Sequence, residues 1–493
     1  MEDKSEKKED EKDEVSDQIS DIKKIMQLNK IGALFLTADK YDKAEKILKK
    51  TLDFYTEKKE KKEIPNFFYS ILYCNLAKVY SCQKKFEEAK PLYIEVILNH
   101  PLFKLILKNS DLMEKYFSIK NLENLTTDKT LRKEEEILQK AELFLKYFEK
   151  DSESRKEFES KILDNYTSNK LNNKASLSDS LVNLAVIFQI ENKDISVSLD
   201  MYILSILIDE NNSVSNVNYN NYLRECNYKN KSDIYINKRI QFTLNDYSIN
   251  IIPEDASIKN SNETSKDSLF TFICMKWGKK YDADYMNRLY NGIKKNMTKP
   301  FKLYCITDIP EGLNPDIKVI KLETKFSGWM KKSILFDEKI LNQIEGINEN
   351  SLICFIDLDM IIYNNIDFLT EYKGNFCLMK TDDIQCEGSH NGYNSSIVLY
   401  RRNFGRKIYD TMEKYEKEVT NQIVRFDHYL EFIVKNSDFT QDVFVGKILD
   451  YNTYCKDKSL NDLPKDGAII AFPRSPKPHQ CSEEWISKFW CLD

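Results

Sequence analysis

The chain has 493 residues, with 41% hydrophobic and 31% charged residues and a formal net charge of −5. That length exceeds one ordinary core and predicts two or three domains of a soluble protein. The mild negative charge argues against a general nucleic-acid binder, and no apolar run approaches the roughly 18 residues that would span a bilayer.

In chain order, residues 1–20 open as a mixed-charge run of Glu, Asp and Lys with no apolar segment. This is not a secretory signal, and it predicts a disordered tail. The 11 cysteines are scattered and never spaced C-x-x-C, a usage that fits a reducing compartment and predicts a cytoplasmic protein. Residues 21–210 carry helical periodicity, and within them a pattern recurs. Leu28-x-x-Ile31-Gly32-x-x-Phe35 is followed by Tyr41-x-x-Ala44-x-x-x-Leu48; Tyr73-x-x-Leu76-Ala77-x-x-Tyr80 is followed by Phe86-x-x-Ala89-x-x-x-Tyr93. Aligned on Ala44 and Ala89, small, aromatic and large positions coincide. The pattern resembles the tetratricopeptide repeat, although the copies lie 45 residues apart instead of about 34. The Lys/Glu-rich insert Glu57 to Glu63 accounts for the excess. A weaker third copy runs from Leu184-Ala185-x-x-Phe188 to Leu199 and Ile203. The alternative is a plain helical bundle. The resemblance implies an α-solenoid whose concave face binds a protein or peptide.

Residues 211–267 turn Asn-, Ser- and Tyr-rich with weak periodicity and read as a linker or irregular region. From residue 268 to 493 strands and helices alternate. Apolar runs at Leu269–Met275, Lys302–Asp308 and Ile317–Leu322 predict strands, with an amphipathic helix over Asp284–Asn296 and another over Gly328–Ile344. Next comes Leu352-Ile353-Cys354-Phe355-Ile356-Asp357-Leu358-Asp359, an apolar run interrupted by two carboxylates. In a strand, residues two apart share a face, so Asp357 and Asp359 are expected side by side near the strand's C-terminal end. Open α/β sheets bind ligands at that end, and two converging carboxylates suit a hard divalent cation, Mg2+ or Mn2+. Further strands are expected at Asn375–Lys380, Ser396–Tyr400 and Ala468–Phe472. Such alternation predicts an α/β fold with a mostly parallel sheet covered on both faces.

The order of these pieces resembles a GT-A-fold glycosyltransferase, of the bacterial-type family related to glycogenin-like enzymes. The likeness rests on Lys276-Trp277-Gly278 with Tyr281, Tyr285, Asn287 and Tyr290; on Cys305-Ile306-Thr307-Asp308; and on Gly328-Trp329-Met330-Lys331-Lys332. It continues through Asp357-Leu358-Asp359, Asn394-Ser395-Ser396 and Pro476-Lys477-Pro478. It implies a metal-dependent transferase with a Rossmann-type nucleotide-sugar-binding domain and a UDP-sugar donor. Lys276 and Asp308 leave the first two strands beside the expected nucleotide. Asp308 then meets a base NH or a ribose hydroxyl, unless it caps a turn. Lys332 and Lys477 are placed to pair with diphosphate oxygens, with a solvated surface lysine as the alternative for Lys332. Asn394 offers both a donor and an acceptor to sugar hydroxyls. Asp427, in Arg425-Phe426-Asp427-His428, stands where relatives carry an Asp-Gln pair and is expected to meet the transferred sugar or acceptor, or to cap a helix.

The chain departs from that pattern after the last strand, where relatives place a third metal ligand, a His. Pro473 stands there and cannot ligate, which leaves His479 as the nearest substitute. Two rival readings remain open. A haloacid-dehalogenase-type phosphohydrolase also ends a strand in D-x-D, with Asp382-Asp383 as its later acidic pair, but its strand opens the fold. The other rival is a protein-interaction scaffold with an inactive GT-A domain.

Overall fold

The structure is a computed structural model that describes residues 3–60, 68–117, 134–149, 152–167, 174–191, 195–226, 228–244, 269–382, 392–434 and 437–492. The chain divides into two compact units. One is Met1–Leu223 with Asn230–Phe242, the other Arg224–Lys229 with Thr243–Asp493.

The first unit is helical. α1 (Asp3–Thr37) and α2 (Tyr41–Glu60) form one helical pair, α3 (Phe68–Cys82) and α4 (Phe86–Asn99) the next. Strong helix formers, Glu and Lys, begin at Asp3 and are helical, where a disordered tail was expected from their charge. Ala44, Ala77 and Ala89 are fully buried. A Cβ on Gly32 would lie 2.7 Å from the Leu48 side chain of α2, so a larger residue there would require that side chain to move. The two pairs also share one turn, with the same offset as Ala44 and Ala89. Lys40 N donates to Phe35 O at 2.9 Å and Lys85 N to Tyr80 O at 2.8 Å. Asp39 and Lys84 sit at φ 57° and 59°. Both are Schellman turns closed by a non-glycine residue in the left-handed region. Lys84 is exposed, so Lys84→Gly should raise the stability of the helical unit by about 0.5–1 kcal/mol. Thermal unfolding followed by far-UV circular dichroism checks this; an unchanged or lower midpoint would contradict it.

Farther on, α5 (Lys174–Ile190) packs on α6 (Ile195–Ile208), and these hold Leu184, Ala185, Leu199 and Ile203 in the core. Their connection lies outside the described residues. The stretch expected as a linker over 211–267 begins instead with α7 (Ser213–Glu225) and α8 (Lys229–Leu244). The reason is burial of its polar residues: Tyr219, Tyr222 and Tyr235 are interior, Tyr235 Oη donates to Asn216 Oδ1, and Ser232 Oγ donates to Asn220 Oδ1 at 3.1 Å. The boundary expected at residue 268 borders residues outside the described set.

The second unit is built on a seven-stranded sheet of order β3-β2-β1-β4-β7-β6-β8. The strands are β1 (Phe270–Lys276), β2 (Phe301–Thr307), β3 (Lys318–Lys321), β4 (Leu352–Ile356), β6 (Phe376–Lys380), β7 (Tyr393–Arg401) and β8 (Asp438–Phe439). β5 (Met360–Ile362), β9 (Ile448–Asp450) and β10 (Ile469–Ala471) make a small second sheet. Four of the six neighbouring pairs in the large sheet are parallel; β7 runs antiparallel to β4 and β6. β1 is buried at every position, as its continuous apolar run requires of a central parallel strand. α9 (Ala283–Asn296) follows β1, capped by Asp282; α10 (Arg402–Lys414) and α11 (Phe426–Ile433) follow β7.

Two local departures shape the site. Gly328–Phe336 is a 3-10 helix, and a short α-turn, Glu338–Leu341, follows it, where one long helix was expected. Five consecutive residues, Lys332 to Phe336, are buried there, more than one face of an α-helix can hide. Asp337 then starts the new turn by accepting from Lys339 N at 2.9 Å. Second, β4 ends at Ile356, so Asp357 to Asp359 lie on the turn between β4 and β5 and not within the strand.

Candidate active site

Strand order places the site. β1 pairs on one side with β2 and on the other with β4, all parallel, so successive connections leave in opposite directions at that point. A crevice forms there, outside the carboxyl ends of the strands. Because β7 is antiparallel to β4, its beginning lies beside β4's end: Ile356 pairs with Ile397, and Asp357 N donates to Ser396 O at 2.8 Å. This brings Asn394, Ser395 and Ser396 to the edge that carries Asp357. A cavity of about 540 Å³ opens at this edge, within the range of small-molecule sites.

Six of the nine expected site residues line the cavity: Lys332, Asp357, Asp359, Asn394, Asp427 and Lys477. Each carboxylate of the pair has its own ammonium. Lys332 Nζ lies 2.9 Å from Asp357 and also reaches Ser395 Oγ at 3.3 Å. Lys477 Nζ lies 2.7 Å from Asp359, and Tyr281 Oη donates to the same carboxylate at 3.1 Å. Burial pushes the Asp357 carboxyl up to about 6, against the pull of Lys332 and with the help of Asp359 and Asp427. Burial and the nearby Asp359 keep the Tyr281 phenol protonated far above its ordinary range. So both expected phosphate-binding lysines here neutralise the carboxylates.

Asp427 is the second residue of α11, whose N-cap is Arg425, so the expected cap role is excluded. Its Oδ1 accepts from Ser395 N at 2.8 Å, which ties α11 to the start of β7. Asn394 Oδ1 accepts from Ser396 N at 3.0 Å, an orientation that leaves the amide nitrogen as its donor to the cavity.

Three expected site residues lie off the cavity. Lys276 is buried and donates to Ile309 O at 3.0 Å. Its neighbours Met275 and Trp277 line the cavity instead, as alternation along an extended chain requires. Asp308 accepts Gly278 N at 3.1 and 3.2 Å. It thereby fixes the positive-φ turn that carries Trp277. His479 bonds Tyr285 Oη through Nδ1 and does not join the carboxylate pair. Among the described residues no group of three or more His, Cys, Asp or Glu is set to hold a metal ion.

The cavity also gathers residues to which sequence reading gave no role: Lys280, Trp329, Arg425 and Arg474. Trp329 is 51% exposed, and Lys280 Nζ lies 5.2 Å from the Tyr281 ring centre and 6.0 Å from that of Trp329. The exposure of Trp329 and its approach to Lys280 exist only in the folded chain, so no spacing in the sequence marks them. As formal charges, five basic and three acidic side chains line the cavity, a balance that favours an anionic ligand.

No family model matches the chain, and no curated protein matches it. Similar solved structures include the apo form of the glycosyltransferase GlyE of Streptococcus pneumoniae TIGR4. Identity is 14%, over 45% of this chain and 60% of that one, with a TM-score of 0.30. Another is the apo bifunctional glycosyltransferase WbbM, 9% identical over 51% of this chain and 55% of that one, with a TM-score of 0.28. The chain thus spans less than two thirds of the length of either.

Proposed function

We propose that the α/β unit is a glycosyltransferase that moves a sugar from a nucleoside-diphosphate donor, a UDP-sugar, to an acceptor, with Mn2+ or Mg2+ as cofactor. One observation carries this reading: two carboxylates, each with its own ammonium, at the carboxyl end of a central strand in a cavity with a basic excess. The donor set suits such a cation. Asp357 and Asp359 are hard oxygen ligands, and Mg2+ commonly uses one or two carboxylates and completes its shell with water and phosphate oxygens. Bound there, the cation would offset charge on the departing diphosphate.

The chain's own groups do the rest. Lys477, Arg425 and Arg474 supply positive charge for the diphosphate, and Lys332, held by Asp357, adds to the field around it. Asn394 and Asp427 bond sugar hydroxyls and fix the transferred ring against the acceptor. The resemblance of the chain's motifs to those of glycogenin-like enzymes implies retention of anomeric configuration. The helical unit, as a tetratricopeptide-like solenoid, recruits a protein acceptor or partner, and the cytoplasmic setting inferred from cysteine usage belongs to the same proposal. Among the described residues no helix is long and apolar enough to cross a membrane.

A screen of nucleotide-sugars for hydrolysis with and without Mn2+ tests the reading. Turnover of one donor, dependent on the cation, is expected; no turnover of any donor would refute it. Deleting residues 1–210 should spare donor hydrolysis yet reduce transfer to the native acceptor. Full transfer by the shortened chain would remove the recruiting role of the helical unit.

A further inference from the structure

The two lysines are held differently. Lys332 is buried on the 3-10 helix, and its Nζ has Ser395 O at 3.5 Å and Ser395 Oγ at 3.3 Å besides Asp357. Withdrawing it would leave three acceptors without their donor. Lys477 sits on the loop after β10 with its side chain 17% exposed, and its acceptors are Asp359 and the Phe472 carbonyl. The loop backbone is fixed on either side of that side chain. Lys477 N donates to Gln480 Oε1 at 2.8 Å, and Gln480 N donates to Lys477 O at 2.8 Å. His479, two residues on, is tied to Tyr285. The ammonium can therefore change partner by its own side-chain torsions, with the loop staying in place. Asp359 would keep the Tyr281 hydroxyl, at 3.1 Å, when the lysine left.

Resting on the transferase reading, we propose that Lys477 is the resident counter-ion of Asp359 and passes to the donor diphosphate when a divalent cation takes its place. The consequence is thermodynamic. A cation arriving alone must displace an ammonium that has no anion to receive it. A nucleoside diphosphate arriving alone must draw Lys477 off a carboxylate that is only 7% exposed and left uncompensated. Together, each ligand provides the partner that the other displaces. Cation and nucleotide therefore bind with positive coupling, and by linkage the factor is the same in both directions. Lys332 stays with Asp357 throughout, so Asp359 is the carboxylate that exchanges partners.

Binding measurements on the full chain test this, with Mn2+ and UDP as probes in isothermal titration. For the wild type, saturating UDP should tighten Mn2+ binding by about tenfold or more, and Mn2+ should tighten UDP by the same factor. Lys477→Met should bind Mn2+ alone about tenfold more tightly than the wild type and show weaker coupling, the remainder coming from direct contact between cation and phosphate. Lys477→Arg, which keeps a counter-ion, should keep the coupling. If the wild type binds both ligands without coupling, or Lys477→Met retains the full wild-type coupling and gains no affinity for Mn2+ alone, the inference is wrong and the transferase reading stands. If the wild type binds no Mn2+ even with UDP, the metal-dependent reading falls and takes the inference with it.

Discussion

Asp359→Asn should lower the rate of sugar transfer by at least two orders of magnitude, about 2.7 kcal/mol or more of barrier, while the fold survives. Asp359 is 7% exposed at the cavity edge and engages Lys477 and Tyr281. Asparagine keeps the shape and one acceptor oxygen for Tyr281, but it is neutral and a poor ligand for a hard cation. The loss falls on the transition state, where charge grows on the departing diphosphate. Stability without metal should change by no more than about 1 kcal/mol. The lysine that loses its partner is part-exposed and can extend to solvent, and Asp357 is relieved of a neighbouring charge that raises its pKa. The wild type should gain thermal stability from Mn2+ with UDP, and the variant should not. A variant that keeps that gain and turns over donor normally would make the pair structural and remove the main support of the enzyme reading.

How much of this was legible in the sequence differs by kind of information. β1, β2 and β4 could be read because strands buried on both faces must be continuous apolar runs. The carboxylate pair could be found but not placed: charge ends the run at Ile356, and the pair sits on the following turn. The helix at Gly328 was recognised by periodicity, yet a stretch of consecutive buried residues selected a 3-10 helix, which period counting does not distinguish at that length. Polar composition misled over Ser213 to Leu244, where asparagines accept from a tyrosine and a serine in an interior. Ion partners were beyond reach. Lys332 and Asp357 are brought together by a helix and a strand, and Lys477 meets Asp359 only because β10 pairs with β5. Lys276 and Asp308 lie off the cavity for a related reason. Each was placed by the strand it leaves, and the direction of a side chain at a strand end is set by the loop beyond.

Lys332→Met should destabilise the α/β unit by about 2–3 kcal/mol near pH 8, below the full cost of breaking a buried pair because Asp357 is 25% exposed. The variant leaves Asp357 with two acidic neighbours, Asp359 and Asp427, and no compensating ammonium. The pH dependence separates this from a packing loss. Burial already raises the Asp357 carboxyl to about 6, above an unfolded value near 3.9, so the native state holds that proton more tightly than the unfolded chain. Stability from this group is then greatest below the unfolded value. It falls as pH rises through the window between the two values and stays level above the folded one. Removing the ammonium raises the folded value further and extends the fall to higher pH, by about 1.4 kcal/mol for each additional unit. The gap between wild type and variant should therefore be small near pH 5 and fully open near pH 8. All four tryptophans lie between Trp277 and Trp490 in the α/β unit, so their fluorescence during thermal unfolding reports this unit alone. A gap that is the same at both pH values would mean that Lys332 acts there through packing, and that Asp357 does not depend on it for its charge.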